Sequence, residues 1–352
     1  FSILKTGVVR QIYPFELIGD FQCSDRLFNE IWHLGYRTLL VCSEDSYTDT
    51  PFRERGLYAG DALPEFAITL ATSGDTRLMK RSIMLFHDKY QQAFFPGKSK
   101  VEGEPGTLSE FIQITTEYFR WYVDRTGDLD FAEKYYPGYK YMLEQNLLNR
   151  DEDGLVEKPR VFVEWTKIEK SDVKNTAFHM HFARSCKSMA LLAEKLNKTE
   201  DAEFFRKAEQ ELVEAVMEEL WNEDKKAFHD SKKDGKLLDS YYPISSAIPM
   251  LYGYTTNEQN EYIGAYLEKE LEDIGNITRQ RRATPYGGFY VIGALYKNEQ
   301  AGVAERFIRK YWSPMIYRHN DTAWENFGDG SDGVQGTLSH AWSGNRELAP
   351  LL

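Results

Sequence analysis

Apolar side chains recur at helical spacing along most of this chain, which predicts a succession of amphipathic helices. After residue 22 they lie three or four positions apart, in segments that short polar breaks separate. The first segment starts at Ser24, a residue type favoured at a helix N-terminus, and places Phe28, Ile31 and Trp32 on one face. Further helices, which make about a dozen in all, are predicted over 62–73, 75–92, 108–126, 128–149, 176–197, 199–221, 243–254, 256–273, 286–298, 299–312 and 337–348.

The lengths of the connections between these helices predict how they pack. Breaks such as 126–128, 197–199 and 255–257 are short, so the helices on either side should form antiparallel hairpins. Roughly every second connection is long, as expected if helix pairs stack around an axis with their functional loops at one end. The long connections are predicted over 93–107, 150–175, 222–242, 274–285 and 313–336.

Paired helices can close into a barrel or remain an open superhelix, and the character of alternate segments favours closure. Segments 242–251 and 286–295 are rich in small residues and almost free of charge, whereas 256–273 and 299–312 are strongly amphipathic. This alternation indicates an inner ring of nearly apolar helices inside an outer ring with charged faces. We therefore predict an all-α fold, an (α/α)6 barrel, over residues 23–352.

Residues 1–22 differ from the rest because they contain short β-branched or aromatic runs, at 6–13 and 15–18. We interpret them as the last strands of a preceding β domain or as an extended lead-in, and we predict no strand after them. Because the chain begins at Phe1 without an initiator Met, we expect a fragment whose targeting segment and flanking β domains lie outside it. The compartment stays open, with a periplasmic or extracellular location preferred to a cytoplasmic one.

Composition excludes several classes of function. A formal net charge of -12 with no basic run argues against nucleic acid as a ligand, since phosphate binding requires clustered Lys and Arg. No apolar run approaches the length needed to span a membrane. Cys23, Cys42 and Cys186 have neither a metal-binding spacing nor a disulfide framework, so we expect buried thiols. The 352 residues, 42% of them hydrophobic, are ample for a globular core.

The segment 49–61 concentrates charge where no helix is predicted, because Pro51, Gly56 and Gly60 argue against regular helix geometry. Apolar residues such as Phe52 alternate with the charges, which a merely solvated turn would not need. We therefore predict a functional loop, called the charged loop below. Its charged residues are Asp49, Arg53, Glu54, Arg55 and Asp61.

A second acidic segment lies near the C-terminus, at 320–332, and contains Glu325. In a closed ring the first and last helix pairs are neighbours, so this segment can face the charged loop across one pocket. Two carboxyl groups that converge on a crevice, here Glu54 and Glu325, are the minimum equipment for glycoside hydrolysis. One protonates the leaving oxygen, and the other activates water or attacks directly.

Aromatic and histidine side chains beside these acids are candidates for contacts with a sugar, whose C–H faces stack on aromatic rings. Core packing explains most aromatic residues of a helical domain, but four lie in predicted loops or at helix starts: Tyr58, Trp165, Trp324 and Trp342. His340 lies just after the second acidic segment, so we predict that it contacts ligand. His179 and His181 have no charged companions and are interpreted as structural, and 150–154 is interpreted as a solvated turn.

The charged loop resembles a signature of bacterial α-L-rhamnosidases of glycoside hydrolase family 78, in which Asp-Cys-Pro leads to Arg-Glu-Arg and ends in Gly-Asp-Ala. Here it reads Asp-Thr-Pro-Phe-Arg-Glu-Arg-Gly-Leu-Tyr-Ala-Gly-Asp over 49–61. Four further segments resemble that family: 21–32 its entry into the first barrel helix, 163–165 its Gly-Asp-Trp loop, 322–325 its Thr-x-Trp-Glu loop, and 339–340 its following Asn-His. The resemblance spans nearly the whole chain.

This resemblance implies an (α/α)6 barrel, flanked by β domains, that hydrolyses terminal α-L-rhamnosides with inversion and needs no metal or other cofactor. Glu54 would be the general acid and Glu325 the general base, and inversion requires their carboxyl groups to lie about 6.5–9.5 Å apart. The sugar hydroxyl groups would be held by Asp49, Arg53 and Asp61. The pocket would be lined by Tyr58, Trp165 and His340.

The sequence departs from the family pattern without losing a catalytic carboxylate. Thr50 replaces Cys, Tyr58 stands where Trp is common, Gly56-Leu57 inverts the usual order, and Glu164 replaces Asp. These changes leave the fold better determined than the sugar specificity.

The two arginines of the charged loop conflict with the role of Glu54. A neighbouring guanidinium lowers the pKa of a carboxyl group, whereas a general acid requires a raised pKa. We therefore predict that Arg53 and Arg55 point away or pair with Asp49 or Asp61. Glu54 would then lie in an apolar or anionic environment.

Other functions fit parts of this pattern. The same fold and acid pair suits another sugar, such as an α-glucoside, a mannoside or an unsaturated uronide, and an apolar wall facing the rhamnose methyl group would discriminate. A sugar epimerase on this fold would use paired His residues, against which the charged loop and Glu325 argue. A catalytically silent carbohydrate-binding relative would lack one acid, and a structural solenoid would lack convergent acids.

Overall fold

Helices dominate the computed structural model, which describes residues 5–7, 9–94, 109–158, 160–275, 281–318, 321–328 and 336–344. Eleven α-helices lie within these ranges: α1 (Arg26–Val41), α2 (Ala59–Thr72), α3 (Arg77–Phe94), α4 (Ser109–Thr126), α5 (Leu129–Leu147), α6 (Thr176–Lys195), α7 (Thr199–Leu220), α8 (Pro243–Tyr252), α9 (Asn257–Glu272), α10 (Pro285–Lys297) and α11 (Ala301–Tyr317). A short 3-10 turn, Ala341–Ser343, follows them.

Local sequence determines several helix ends. The carboxylate of Asp25 accepts a hydrogen bond from Leu27 N at 3.0 Å, so Asp25 caps α1 in place of the predicted Ser24. A reciprocal pair of hydrogen bonds between Thr256 and Gln259 caps α9. Gly253 ends α8 with a φ of +76°, a conformation that residues with a side chain rarely adopt.

Alternate helices form an inner ring that closes on itself. Most residues of α2, α4, α6, α8 and α10 are buried, whereas α7, α9 and α11 bury one face. Each inner helix packs against the next, and the 3-10 turn packs against both α10 and α2. The predicted all-α (α/α)6 barrel, with nearly apolar helices inside and amphipathic helices outside, is confirmed.

The C-terminal part of the ring differs from the prediction. The described part of the predicted helix 337–348 contains only the 3-10 turn after an irregular stretch, and residues 345–348 lie outside the described ranges. Helix α11 continues to Tyr317, past the predicted end at 312 and through Pro314. Trp312 and Met315 are buried on either side of that proline, and their packing outweighs the hydrogen bond that it removes.

Short strands occur in or beside the long connections, where none is predicted. Three of them form an antiparallel sheet in the order β1 (Lys174–Asn175), β4 (Ser231–Lys233) and β5 (Lys236–Leu237), and β2 (Trp221–Asn222) pairs with β3 (Ala227–Phe228). Strands of two or three residues are too short to show an alternating pattern. Asn175 both ends β1 and caps α6, so the sheet helps to position the start of an inner helix.

The N-terminal lead-in contains no strand in its described ranges, 5–7 and 9–22. Tyr13 N donates to Ser43 O at 2.8 Å, and Ile18 N donates to Thr72 O at 2.9 Å. These hydrogen bonds attach the lead-in to the ends of α1 and α2. The described residues fit the interpretation as a lead-in, and a preceding β domain stays a prediction.

All three cysteines are free, with Cys42 and Cys186 buried as predicted and Cys23 half-buried. Burial raises the pKa of the two buried thiols, which disfavours the reactive thiolate. None of the helices in the described part of the chain combines the length and apolarity that a membrane span requires.

Candidate active site

A cavity of about 200 Å³ brings the two acidic segments together. Every predicted site residue except Trp324 lies in its lining, including Glu54 and Glu325 from opposite ends of the chain. The full lining is Asp49, Thr50, Arg53, Glu54, Tyr58, Asp61, Phe111, Arg160, Phe162, Trp165, Glu325, Thr337, His340 and Trp342.

The charged loop closes on itself through Asp49. Asp49 N donates to Gly56 O at 2.9 Å, and Gly56 N donates to Asp49 Oδ1 at 2.8 Å. The carbonyl oxygen of Asp49 accepts from Ala341 N at 3.2 Å, which joins the first and last parts of the ring. Helix α2 begins at Ala59 instead of at residue 62, so Asp61 lies in its first turn and only the earlier part of the segment is a loop.

Asp49 and Asp61 line the cavity and are buried, with 3% and 2% of their surface exposed. Burial raises the pKa of both carboxyl groups, and the charge of Asp49 raises the pKa of Asp61 further. Asp61 Oδ1 has no hydrogen-bond donor among the described residues and lies 3.6 Å from Nε2 of His340. Burial lowers the pKa of His340 to about 3, so its imidazole is neutral near pH 7 and forms no ion pair with Asp61.

Glu325 is largely buried and is oriented by its surroundings. Its Oε2 accepts a hydrogen bond from Thr337 N at 2.8 Å. Burial raises the pKa of Glu325, while the Thr337 N–H, the charge of Arg53 and the nearby indole N–H of Trp165 lower it. Of the two arrangements predicted for Arg53, pairing with Asp49 or Asp61 does not occur among the described residues, and its charge acts on Glu325.

Glu54 lies at the exposed mouth of the cavity. Its Oε2 accepts from the hydroxyl of Tyr58 at 3.1 Å, and burial together with the charge of Glu54 raises the pKa of Tyr58 to about 12. The same charge raises the pKa of the other acids of the cavity, so Glu54 has the anionic environment that was one predicted alternative. Arg55 forms an ion pair with Glu44, and neither residue lines the cavity.

Aromatic rings form one wall of the cavity. Phe162 meets Trp165 edge-on with ring centroids 4.8 Å apart, and it stacks on Trp342 at 6.4 Å. Trp342 in turn stacks on His340 at 4.0 Å, and its Nε1 donates to the carbonyl oxygen of Glu325 at 3.2 Å. The wall therefore offers apolar surface and also positions the backbone of Glu325.

Trp324, predicted to lie in the pocket, does not line the cavity. Its side chain is 2% exposed and belongs to the core, and its carbonyl oxygen accepts a hydrogen bond from Ser343 Oγ. Consecutive side chains outside a helix point in different directions, so only one of Trp324 and Glu325 faces the cavity.

The lining also contains residues that were not predicted as site residues: Thr50, Phe111, Arg160, Phe162 and Thr337. Phe162 comes directly before the 163–165 motif, and that closeness was an available signal. Thr337 holds Glu325 through its backbone N–H, a role that any residue type could fill, so its side chain carried no signal.

Two histidines predicted to be structural are buried and hydrogen-bonded. His179 Nε2 accepts from Val156 N at 2.8 Å, and His181 Nδ1 lies 2.9 Å from the hydroxyl of Tyr252. Neither histidine lines the cavity. Within the described ranges, no group of three or more His, Cys, Asp or Glu side chains is arranged to hold a metal ion.

The segment 150–154, interpreted above as a solvated turn, is a turn with Asp151 and Glu152 exposed, and ion pairs also hold it. Asp153 pairs with Lys174 at 2.8 Å and with Lys232 at 3.0 Å, and Lys174 also pairs with Asp151 at 2.7 Å. The two lysines belong to β1 and β4, so the turn is attached to the small sheet. The distant positions of these partners in the sequence explain why a local interpretation missed them.

Comparison with known families gives a match over most of the chain. Residues 16–346 match the model of the family described as the bacterial alpha-L-rhamnosidase 6 hairpin glycosidase domain. A comparison with curated proteins finds no match.

Solved structures with the same fold include two rhamnosidases. The GH78 family rhamnosidase of Bacillus sp. GL1 has a TM-score of 0.84 at 24% identity, over 96% of this chain and 36% of that one. The rhamnosidase from Klebsiella oxytoca with rhamnose bound has a TM-score of 0.76 at 21% identity, over 93% of this chain and 64% of that one. The chain therefore spans less than two thirds of either protein.

A shorter protein also shares the fold. The GH63 mannosylglycerate hydrolase from Thermus thermophilus in complex with Tris has a TM-score of 0.65 at 12% identity, over 91% of this chain and 99% of that one. At these identities the three similarities establish the fold of the barrel. The chemistry of the cavity has to be inferred from the residues that line it.

Proposed function

Because the chain belongs to the bacterial α-L-rhamnosidase six-hairpin glycosidase domain family, we propose that it hydrolyses terminal α-L-rhamnosides with inversion of configuration. Glu54 acts as the general acid and Glu325 as the general base. The observation that carries this assignment is the meeting of these two carboxyl groups in one cavity beside an aromatic wall. The proposed steps use only side chains of the chain and one water molecule.

The position of Glu54 supports its role as the acid. This residue is exposed at the mouth, where the departing aglycone has a path to solvent. Its carboxyl group can protonate the glycosidic oxygen and then regain a proton from solvent. The hydroxyl of Tyr58, which donates to Oε2, orients the carboxyl group for this transfer.

The surroundings of Glu325 suit a base. A general base must be ionised before it accepts a proton from water. Burial raises the pKa of Glu325, and the Thr337 N–H, Arg53 and the nearby Trp165 counteract that rise by favouring the charged form. In this role its carboxyl group holds a water molecule on the face of the sugar opposite Glu54. Attack from that face inverts the anomeric configuration, for which a separation of about 6.5–9.5 Å between the carboxyl groups is needed.

The aromatic wall supports rhamnose as the sugar. Rhamnose carries a methyl group where a hexose carries a hydroxymethyl group, and the rings of Phe162, Trp165 and Trp342 present apolar surface to the cavity. A hydroxymethyl group against such a wall would leave a hydroxyl group without a partner, at a cost of about 1–3 kcal/mol. Asp49 and Asp61 supply the polar atoms for the ring hydroxyl groups.

Leaving-group dependence tests the acid and base roles separately. p-Nitrophenyl α-L-rhamnoside has a good leaving group that needs little protonation, whereas methyl α-L-rhamnoside has a poor one. Glu325→Gln should reduce kcat/KM by at least about 1,000-fold with both substrates, because activation of water is lost in both. Glu54→Gln should reduce kcat/KM by a similar factor with the methyl rhamnoside. With the p-nitrophenyl rhamnoside, the factor of reduction should be about 10 times smaller.

The substrate panel includes p-nitrophenyl α-glucoside and α-mannoside, and proton NMR of the first product records its anomeric form. Glu203→Gln, which removes an exposed acid on the outer helix α7, is the matched control and should retain native rates. Faster hydrolysis of another glycoside would mean that the substrate sugar is not rhamnose. Retention of configuration would reject the roles assigned to both acids.

A further inference from the structure

An unusual turn beside the cavity has no role in the steps above. Val163 has a φ of +59°, in the left-handed region that is unfavourable for a branched side chain. Glu164 N donates to Phe162 O at 2.8 Å, so the chain reverses direction around Val163 within three residues. A conformation of this kind persists only where neighbouring structure holds it, and it is often found at functional sites.

The carboxyl group of Glu110 holds this turn. Its Oε1 accepts hydrogen bonds from Phe162 N at 2.9 Å and from Val163 N at 3.2 Å. Glu110 is 1% exposed and is the second residue of the inner helix α4. Since the acceptor belongs to the inner ring, these two backbone N–H groups have fixed positions relative to the barrel.

The turn determines where the side chains on either side of it point. Phe162 precedes its centre and Trp165 follows it, and both rings line the cavity. Glu164 lies between them and points elsewhere, because its Oε2 accepts from Thr284 N at 3.1 Å and from Thr284 Oγ1 at 2.6 Å. Trp165 lines the same cavity as Glu325, and its indole N–H favours the charged form of that carboxyl group.

We propose that Glu110 is a positioning residue for the proposed hydrolysis: by holding the turn at Val163, it places Trp165 against Glu325 and Phe162 in the wall. Glu110 does not line the cavity, so we assign its effect on the reaction to this turn. The kinetic part of the proposal rests on the proposed function, and the structural part does not.

A double-mutant cycle separates this role from a general contribution to folding. Glu110→Ala should lower kcat for the p-nitrophenyl rhamnoside by at least about 10-fold with a smaller change in KM, because Trp165 is displaced from Glu325. Glu110→Gln keeps an acceptor oxygen and should stay within about 3-fold of the native kcat. In Glu110→Ala/Val163→Gly, glycine adopts a positive φ without being held, so most of the lost kcat should return.

Hydrogen exchange of the backbone amides in a peptide covering 160–166 provides a readout that needs no activity. Glu110→Ala should raise exchange at the two amides of Phe162 and Val163 by about 10-fold or more, and Glu110→Gln should not. Retained kcat in Glu110→Ala, or a double variant no more active than Glu110→Ala, would overturn the proposal. If the native protein cleaves no rhamnoside, the proposed function fails and exchange alone decides: unchanged exchange in Glu110→Ala rejects the positioning role.

Discussion

At the scale of single residues, this barrel contains buried acids that carry no ion pair among the described residues. Glu65, one helical turn after Asp61, is fully buried, and neither of its carboxyl oxygens has a hydrogen-bond donor within the described ranges. Burial raises its pKa well above the usual value, as it does for Asp61. Such groups favour folding when protonated and oppose it when ionised, so they make stability depend on pH.

Glu164 offers a test of this dependence. Burial raises its pKa to about 7 from an ordinary 4.5, so the folded state binds its proton more tightly than the unfolded state does. The associated stability is present below pH 4.5 and is lost as the pH rises towards 7. Between those values the free energy of unfolding should fall by about 1–3 kcal/mol, since a shift of one pKa unit corresponds to about 1.4 kcal/mol.

The glutamine of Glu164→Gln cannot titrate. The free energy of unfolding of this variant, relative to that of the native protein, should therefore rise by about 1–3 kcal/mol between pH 4.5 and 7.5. Urea titrations at both pH values measure the difference, and Glu203→Gln controls for the loss of one negative charge. An identical difference at the two pH values would show that Glu164 does not couple folding to protonation.

At the scale of elements, local hydrogen bonds decide where helices begin, and burial decides which face turns inward. Helix α9 illustrates both, because the box formed by Thr256 and Gln259 caps it and its buried residues, among them Ile263 and Leu267, lie on one face. The inner helix α8 is buried all round and relies on packing instead.

Thr256→Ala should lower the free energy of unfolding by about 1 kcal/mol, because the side-chain oxygen that accepts from Gln259 N is lost. Thr256 is exposed, so no core packing changes with it. Asn257→Ala, at the next exposed position, is the control and should change stability by less than about 0.5 kcal/mol. Equal effects of the two substitutions, measured by urea unfolding, would mean that the cap contributes nothing.

At the scale of the whole molecule, the cavity exists because the ring closes. Helix α1 meets the C-terminal 3-10 turn where Gly35 approaches Gly344, and a Cβ atom on Gly35 would overlap the carbonyl oxygen of Gly344. Asp49 O, which accepts from Ala341 N, provides a second link across the same junction. The distance between the charged loop and the segment holding Glu325 therefore depends on this contact.

Gly35→Ala should force the two backbones apart, lowering the free energy of unfolding by about 2–4 kcal/mol and the rhamnoside kcat/KM by at least about 10-fold. Gly302→Ala is the matched control, because a Cβ atom there meets only Arg306 at an ordinary distance. It should be neutral or stabilising by up to about 1 kcal/mol, since alanine favours helix more than glycine does. Thermal unfolding and kinetics of both variants test the junction, and native behaviour of Gly35→Ala would show that closure does not depend on it.

Much of this protein could be inferred from its sequence, because the relevant information is local and periodic. Helical spacing predicts the barrel, the contrast between apolar and amphipathic segments predicts its two rings, and the charged loop with Glu325 predicts where acids converge. The resemblance of 163–165 to a Gly-Asp-Trp loop also pointed to the aromatic wall.

Side-chain directions and contacts between residues distant in the chain could be read only from the folded structure. Trp324 belongs to the core and Glu325 to the cavity, although they are adjacent, because the direction of a side chain depends on what packs around it. Val163 keeps its left-handed conformation because Glu110, on a separate helix, accepts its N–H. The sequence thus determined the elements and the chemistry available, and packing determined which groups face one another, since contacts across a ring have no local signature.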